Sequence, residues 1–147
     1  MPPRRAAVSV VVFRDDTVLL VRRGREPARG LWAPVGGRIE ADETPEAAAL
    51  REVREETGVT ARLLGLCDRR EVPSTAEDGT AMTWDIAVFA AAWVDGEPVA
   101  GDDAAEAAFV APADLSSLPF VRGGLDAVAA ARRLFDGSRS RDGLRQP

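Results

Sequence analysis

Four acidic side chains crowd one short stretch of the sequence: Glu43, then Glu52, Glu55 and Glu56. On a helix, with about 100° between successive residues, Glu56 falls about 40° to one side of Glu52 and Glu55 about 60° to the other. Three carboxylates then share one face. Like charges at this spacing oppose helix formation by about 0.2–0.5 kcal/mol per pair, so the arrangement calls for a compensating cation. Arg51 and Arg54 offset part of the charge, and Arg51 can pair with Glu55 at the i,i+4 spacing. A divalent metal would offset more, and Mg²⁺ or Mn²⁺ favour oxygen ligands of this kind. The same pattern also describes a solvated Glu/Arg face, and the helix alone does not decide between the two.

Composition restricts the chemistry open to these acids. Histidine is absent, which removes every Ser-His or Cys-His nucleophile and every imidazole metal ligand. All 19 basic residues are arginine, which excludes a Schiff-base lysine and the P-loop lysine. Cys67 is the only cysteine, so there is no intramolecular disulfide and no cysteine-based zinc cluster; a reducing cytoplasm fits. A net charge of −5 disfavours general nucleic-acid binding. No segment approaches the roughly 18 apolar residues that span a bilayer, and the short apolar run after Arg4-Arg5 ends at Arg14-Asp15-Asp16 without a small-residue cleavage site.

The elements that must position the acids follow from local pattern. Residues 8–13 and 17–21 are β-branched and leucine-rich runs around Arg14-Asp15-Asp16, which predicts a hairpin. Residues 22–30 carry four arginines with Gly24, Pro27 and Gly30 and read as an exposed loop, followed by a short Trp32 segment and a flexible pair, Gly36-Gly37. The clearest element is a helix between Thr44, a suitable N-cap, and Gly58, a left-handed stop, with Pro45 at the first helical position. Ala49, Leu50, Val53 and Thr57 form its expected packing stripe. Strands are predicted at 60–72, 82–94 and 107–110, one helical turn at 112–115, and a terminal helix at 125–135 stopped by Asp136-Gly137. The length of 147 residues suits one domain, residues 1–137, with 138–147 as a loose tail. Strands around one central helix, with another helix at the end, give an α+β or three-layer α/β/α class with a mixed sheet.

The residues preceding the helix tip the balance. Gly37, Glu43 after five intervening residues, and after seven more the run Arg51-Glu52-Val53-Arg54-Glu55-Glu56-Thr57-Gly58-Val59 match every fixed position of the motif of the Nudix hydrolases. The chain therefore resembles that family, and the order of elements from about residue 8 to 135 is similar to its fold. The resemblance implies a loop–helix–loop on a mixed sheet that binds Mg²⁺ or Mn²⁺ and hydrolyses a nucleoside diphosphate linked to another group. Carried onto this sequence, Glu52 and Glu56 resemble the main metal ligands, Glu55 a further ligand or a contact through water, and the Gly36 carbonyl a backbone ligand. Arg51 is expected to hold Glu43 or Glu55 in position. With no histidine, the proton must pass to a carboxylate or to hydroxide at the metal, and Glu52 or Glu55 is nearest. Some relatives draw the base from a later loop, where Asp102, Asp103 and Glu106 lie here, although these also read as a solvated acidic turn.

Arg22, Arg23, Arg25 and Arg29 are placed to clamp substrate phosphates, and Trp32 and Trp84 to stack on a base, against plain readings as surface charge and core. Arg22, Arg23, Trp84 and Asp103 are the substrate-binding expectation. The sequence departs from many relatives in having Val35, with Pro34 one residue earlier, where they have proline before the glycine pair. It has no tyrosine, which removes the mark of the diadenosine-polyphosphate group, and Pro73 lies near but not at the place where the ADP-ribose group carries a proline. Two functions follow from the resemblance: hydrolysis of an ADP-ribose-like nucleotide or a nucleoside triphosphate, or a nucleotide-sensing module of the same fold without turnover. The expected partner is a small-molecule nucleotide, with no nucleic acid and no membrane. Relatives include homodimers, while no heptad or long apolar edge here argues for one.

Overall fold

The computed structural model describes residues 2–101 and 103–145. Its centre is β1 (Arg4–Arg14), a strand covered on both faces, which is why its apolar run is nearly continuous rather than alternating. Val8, Val10 and Val12 point into one core cluster, and Val11 and Phe13 point into another on the opposite face. A two-residue turn, with Asp15 left-handed at φ 53°, returns the chain into β2 (Thr17–Arg23). The two strands pair only at Phe13 with Val18 and at Arg14 with Thr17, and then diverge.

That divergence frees an edge of β1, and β4 (Val35–Arg38) takes it, with Val35 opposite Val10, Gly36 opposite Ser9 and Gly37 opposite Val8. The glycine pair is therefore strand, not the flexible segment expected from its composition. Its glycines answer to space: a Cβ on Gly36 would lie 2.7 Å from the Val8 carbonyl oxygen. β2 continues along β3 (Trp32–Ala33) on one side and β7 (Ala104–Val110) on the other. β6 (Ala81–Asp95) lies parallel to β1, and β5 (Thr60–Thr75) closes the sheet edge antiparallel to β6. The seven strands form one mixed sheet, ordered β3-β2-β1-β6-β5 with β4 beside β1 and β7 beside β2.

One helix covers each face, which is the expected α+β sandwich. α1 (Pro45–Thr57) is capped as its sequence predicts: Thr44 Oγ1 accepts from the Ala47 amide at 3.1 Å, and Gly58, at φ 72°, donates its amide to the Arg54 carbonyl at 2.8 Å. Its buried side chains are Ala48, Ala49, Val53 and Thr57; Leu50 is only partly covered, so Ala48 takes the place expected for it. The sheet approaches from the Ala48 side, and small residues there let the helix come close. α2 (Gly124–Arg145) packs Val128, Ala131 and Phe135 on the other face, with Phe135 stacked on Phe13 at 4.4 Å between ring centres. A 3₁₀ helix (Pro112–Ser117) replaces the expected single turn. Cys67 lies half-buried in β5 with its thiol 3.3 Å from the Val88 carbonyl, and burial pushes its pKa up. Among the described residues no helix is long and apolar enough to cross a membrane.

α2 also runs past Asp136-Gly137, where the sequence predicts a stop and a tail. Glycine ends a helix when it turns left-handed, and Gly137 is not among the positive-φ glycines. Beyond it, Arg139 pairs with Asp16 at 2.9 Å and lies 5.3 Å over the Phe135 ring, which holds the following turn in place. The last two expected tail residues, Gln146 and Pro147, lie outside the described residues.

Two glycine substitutions test these assignments by urea denaturation. Gly137→Ala meets open space within a helix and should stabilise the protein by about 0.4–1 kcal/mol, whereas a residue in a loose tail would show no change. Gly36→Ala should destabilise by about 1–3 kcal/mol, because its methyl group meets the backbone of β1.

Candidate functional site

The packing of α1 decides where its acids point. Relative to the buried Ala49, Glu56 is rotated by about 20° and Glu52 by about 60°, both toward Ala48, so both lie on the side that meets the sheet. Glu55, further round, is largely solvent-facing. Glu52 is 13 % exposed and Glu55 60 %. Glu56 is pushed up to about 8 from an ordinary 4.5, first by burial and then by the charge and hydrogen bond of Glu52, with a further contribution from Asp103 and an opposing one from Arg23. Two carboxylates side by side in a partly dry site resist ionising together.

Arg51 counters this charge from the neighbouring position. Its guanidinium takes Glu43 in a two-pronged grip, Nε to Oε2 at 2.7 Å and Nη2 to Oε1 at 2.9 Å. Nη1 reaches Glu52 at 2.8 Å and Glu55 at 3.1 Å, and Nη2 also donates to the Arg38 carbonyl at 3.0 Å. The expected partner was Glu43 or Glu55; the structure brings both to Arg51, with Glu52 as well. Hydrogen bonds from Arg51 and from the Glu40 amide hold Glu43 down at about 2, while Glu43 raises Arg51 further above its ordinary range.

Gly37 faces this cluster from β4. A Cβ there would fall on the Glu52 carboxyl group, so the bare backbone leaves room for that side chain. From the other end, residues 96–101 are tied to the last turn of α1: the Val99 amide donates to the Thr57 carbonyl at 2.9 Å and the Gly101 amide to the Glu56 carbonyl at 2.8 Å. These bonds satisfy carbonyls at the helix end and deliver Asp103 to the site.

A cleft of about 610 Å³ results, bordered by Gly36, Gly37, Arg51, Glu52, Glu55, Glu56, Arg23, Arg25 and Asp103. Among the described residues no three His, Cys, Asp or Glu side chains stand together so as to hold a metal ion, and Arg51 Nη1 bonds both Glu52 and Glu55. Two expected substrate contacts do not line the cleft. Arg22 bonds to Glu106, its register partner across β2 and β7, at 3.3 Å. Trp84 pairs with Arg5 on the α2 side of the sheet, 5.6 Å beneath the Arg38 guanidinium. Glu106 is thus a cross-strand ion-pair partner, and Asp102 lies outside the described residues. Sequence reasoning missed Arg38 and Glu40, which border the cleft and have no spacing signal of their own. A second cleft of about 600 Å³, where Arg70, Val72, Arg122 and Asp126 meet, contains none of the motif acids.

The chain has relatives among known proteins. The NUDIX domain family model matches residues 3–134. An ADP-ribose pyrophosphatase of Methanocaldococcus jannaschii is 36 % identical over 113 residues, covering 77 % of this chain and 63 % of that protein. A CTP pyrophosphohydrolase of Escherichia coli is 40 % identical over 55 residues, 37 % of this chain and 41 % of that protein. The chain thus spans less than two thirds of the curated relatives it matches. A MutT NUDIX hydrolase from Burkholderia pseudomallei superposes with a TM-score of 0.69 at 27 % identity, over 86 % of this chain and 97 % of that one. The NUDIX domain of Shewanella oneidensis NrtR, solved with ADP ribose, shares the fold at a TM-score of 0.68 and 22 % identity, over 90 % and 88 %.

The raised Glu56 has a consequence for stability. The native state keeps a proton that the unfolded chain releases near 4.5, so the stabilisation is complete below that pH and is lost as pH rises toward about 8. In chelator-treated buffer, urea midpoints of the wild type should fall between pH 5 and 8 more steeply than those of Glu56→Gln. Equal slopes would show that Glu56 is not the acid that carries this effect.

Proposed function

The chain belongs to the Nudix family, and we propose that it hydrolyses the diphosphate linkage of a nucleoside diphosphate derivative such as ADP-ribose, or of a nucleoside triphosphate, using Mg²⁺ or Mn²⁺. The observation that carries this reading is the pair Glu52 and Glu56, brought together on the packed side of α1, where burial and the charge of Glu52 push Glu56 up to about 8. The donor chemistry fits a hard divalent ion: oxygen ligands only, in a cleft where the bare Gly37 backbone makes room for the Glu52 carboxyl group. Glu52 and Glu56 would hold the ion, with Glu55 and the Gly36 carbonyl as further donors. When bound, it would neutralise charge on the diphosphate and lower the pKa of water there.

The chain's own groups supply the rest. Arg51 fixes the Glu52 carboxylate through Nη1 while its other nitrogens stay locked on Glu43, so it orients the acid without touching substrate. Arg23, at the cleft rim, is placed to receive a phosphate oxygen. The proton of the attacking water would pass to a carboxylate or to hydroxide at the metal, and Glu52 and Glu55 are the carboxylate candidates beside the site. Glu55 is the more exposed, and one hydrogen bond to Arg51 holds it. A cytoplasmic setting fits the free thiol of Cys67.

One observation favours a second reading, a nucleotide-binding module without turnover: Glu55 is largely exposed and is held by Arg51. A panel of ADP-ribose and nucleoside triphosphates with Mg²⁺ or Mn²⁺, following release of nucleoside monophosphate, phosphate or pyrophosphate, separates the two. Turnover is expected for the wild type, and Glu56→Gln should lower it about a hundredfold with unchanged circular dichroism. Full activity in that variant would overturn the assignment of Glu56, and binding without turnover would favour the module.

A further inference from the structure

Four arginines border the acidic cleft, and they differ in what already holds them. Arg51 is engaged by three glutamates and a carbonyl. Arg38 lies over Trp84, and Arg23 donates Nε to the Pro27 carbonyl at 2.8 Å. Arg25 has a different kind of partner: Nε meets Asp103 Oδ1 at 3.1 Å, with the two side chains 71 % and 72 % exposed. This ion pair joins the loop after β2 to the residue just before β7, across the rim of the cleft that holds Glu52 and Glu56.

The backbones on either side of the pair are fixed. The Gly24 amide donates to the Asp103 carbonyl at 3.1 Å, and a Cβ on Gly24 would lie within 3.2 Å of that same oxygen. The Arg23 amide bonds to the Leu31 carbonyl at 2.9 Å, closing the base of the loop. Side chains can therefore change partners while the main chain stays where it is. An exposed, single-contact ion pair is weakly held, whereas a guanidinium meeting a diphosphate gains two charge-assisted hydrogen bonds in a matching fork.

We propose that Arg25 and Asp103 form an exchangeable latch, in which the diphosphate of an incoming substrate replaces Asp103 as the partner of Arg25. The proposal rests on the pyrophosphohydrolase reading for its substrate class, and it makes Asp103 a positioning residue that sets how tightly a diphosphate is received. The latch closes Arg25 over an acidic cleft that would otherwise repel anions, and it opens only to a ligand that binds arginine better than a carboxylate does.

The test is the Kd for inorganic pyrophosphate in Mg²⁺ buffer, by titration calorimetry, for the wild type, Asp103→Asn, Arg25→Ala and the double variant. Asp103→Asn should bind about threefold more tightly, because the competing carboxylate is neutralised. Arg25→Ala should bind about tenfold more weakly, and the double variant should match Arg25→Ala. A gain from Asp103→Asn that persists without Arg25, no gain at all, or no binding by any form would each overturn the latch. Turnover of ADP-ribose, assayed in parallel, separates the two readings. Lost turnover with the Kd pattern intact removes the enzyme and keeps the latch, and normal turnover with four equal Kd values removes the latch alone.

Discussion

The structure turns on one repulsion. Glu52 and Glu56 lie on the side of α1 that also carries Ala48, Ala49 and Val53, so docking the helix onto the sheet forces two carboxylates together where water is scarce. The surroundings answer that conflict piece by piece. Arg51 supplies a positive charge to Glu52 and is itself aimed by Glu43; Gly37 gives up a side chain to make room. The repulsion that remains raises the pKa of Glu56, which favours its neutral form. On the proposed reading, a bound cation would relieve the same repulsion.

The sheet is shaped around this helix. Because β1 and β2 part after two residue pairs, β1 offers half an edge to β4, and β4 is the strand that brings the glycines to the acids. A continuous hairpin would have sealed that edge. The parallel pairing of β1 with β6 runs ten residue pairs from Arg4 with Thr83 to Phe13 with Ala92, and it anchors the strand on the side away from the fork.

What could be read in advance is what depends on near neighbours in sequence. Thr44, Pro45 and Gly58 fix the ends of α1 through contacts a few residues long, and the acids and Arg51 share one helix, so their companionship follows from spacing. What could not be read depends on where distant segments arrive. Ala48 rather than Leu50 is buried because of the direction from which the sheet approaches, and two glycines show no side-chain pattern that would reveal β4. Trp84 was assigned to the substrate by its chemistry, yet pairing with Arg5 sends it to the far face, and Arg22 is claimed by Glu106 across two strands. Gly137 resembles a stop and is carried through by contacts from Arg139 back to Asp16.

The segment that binds the end of α1 does so with its main chain, through the amides of Val99 and Gly101, while Val99 as a residue is 70 % exposed. Its outward surface is therefore nearly independent of its grip. Evolution can vary the exposed Val99 without disturbing the amides that hold the end of α1, whereas Glu97 is already committed to Arg14 at 2.9 Å. A protein engineer has the same freedom at this one position, and can add a probe or a handle there without touching the helix.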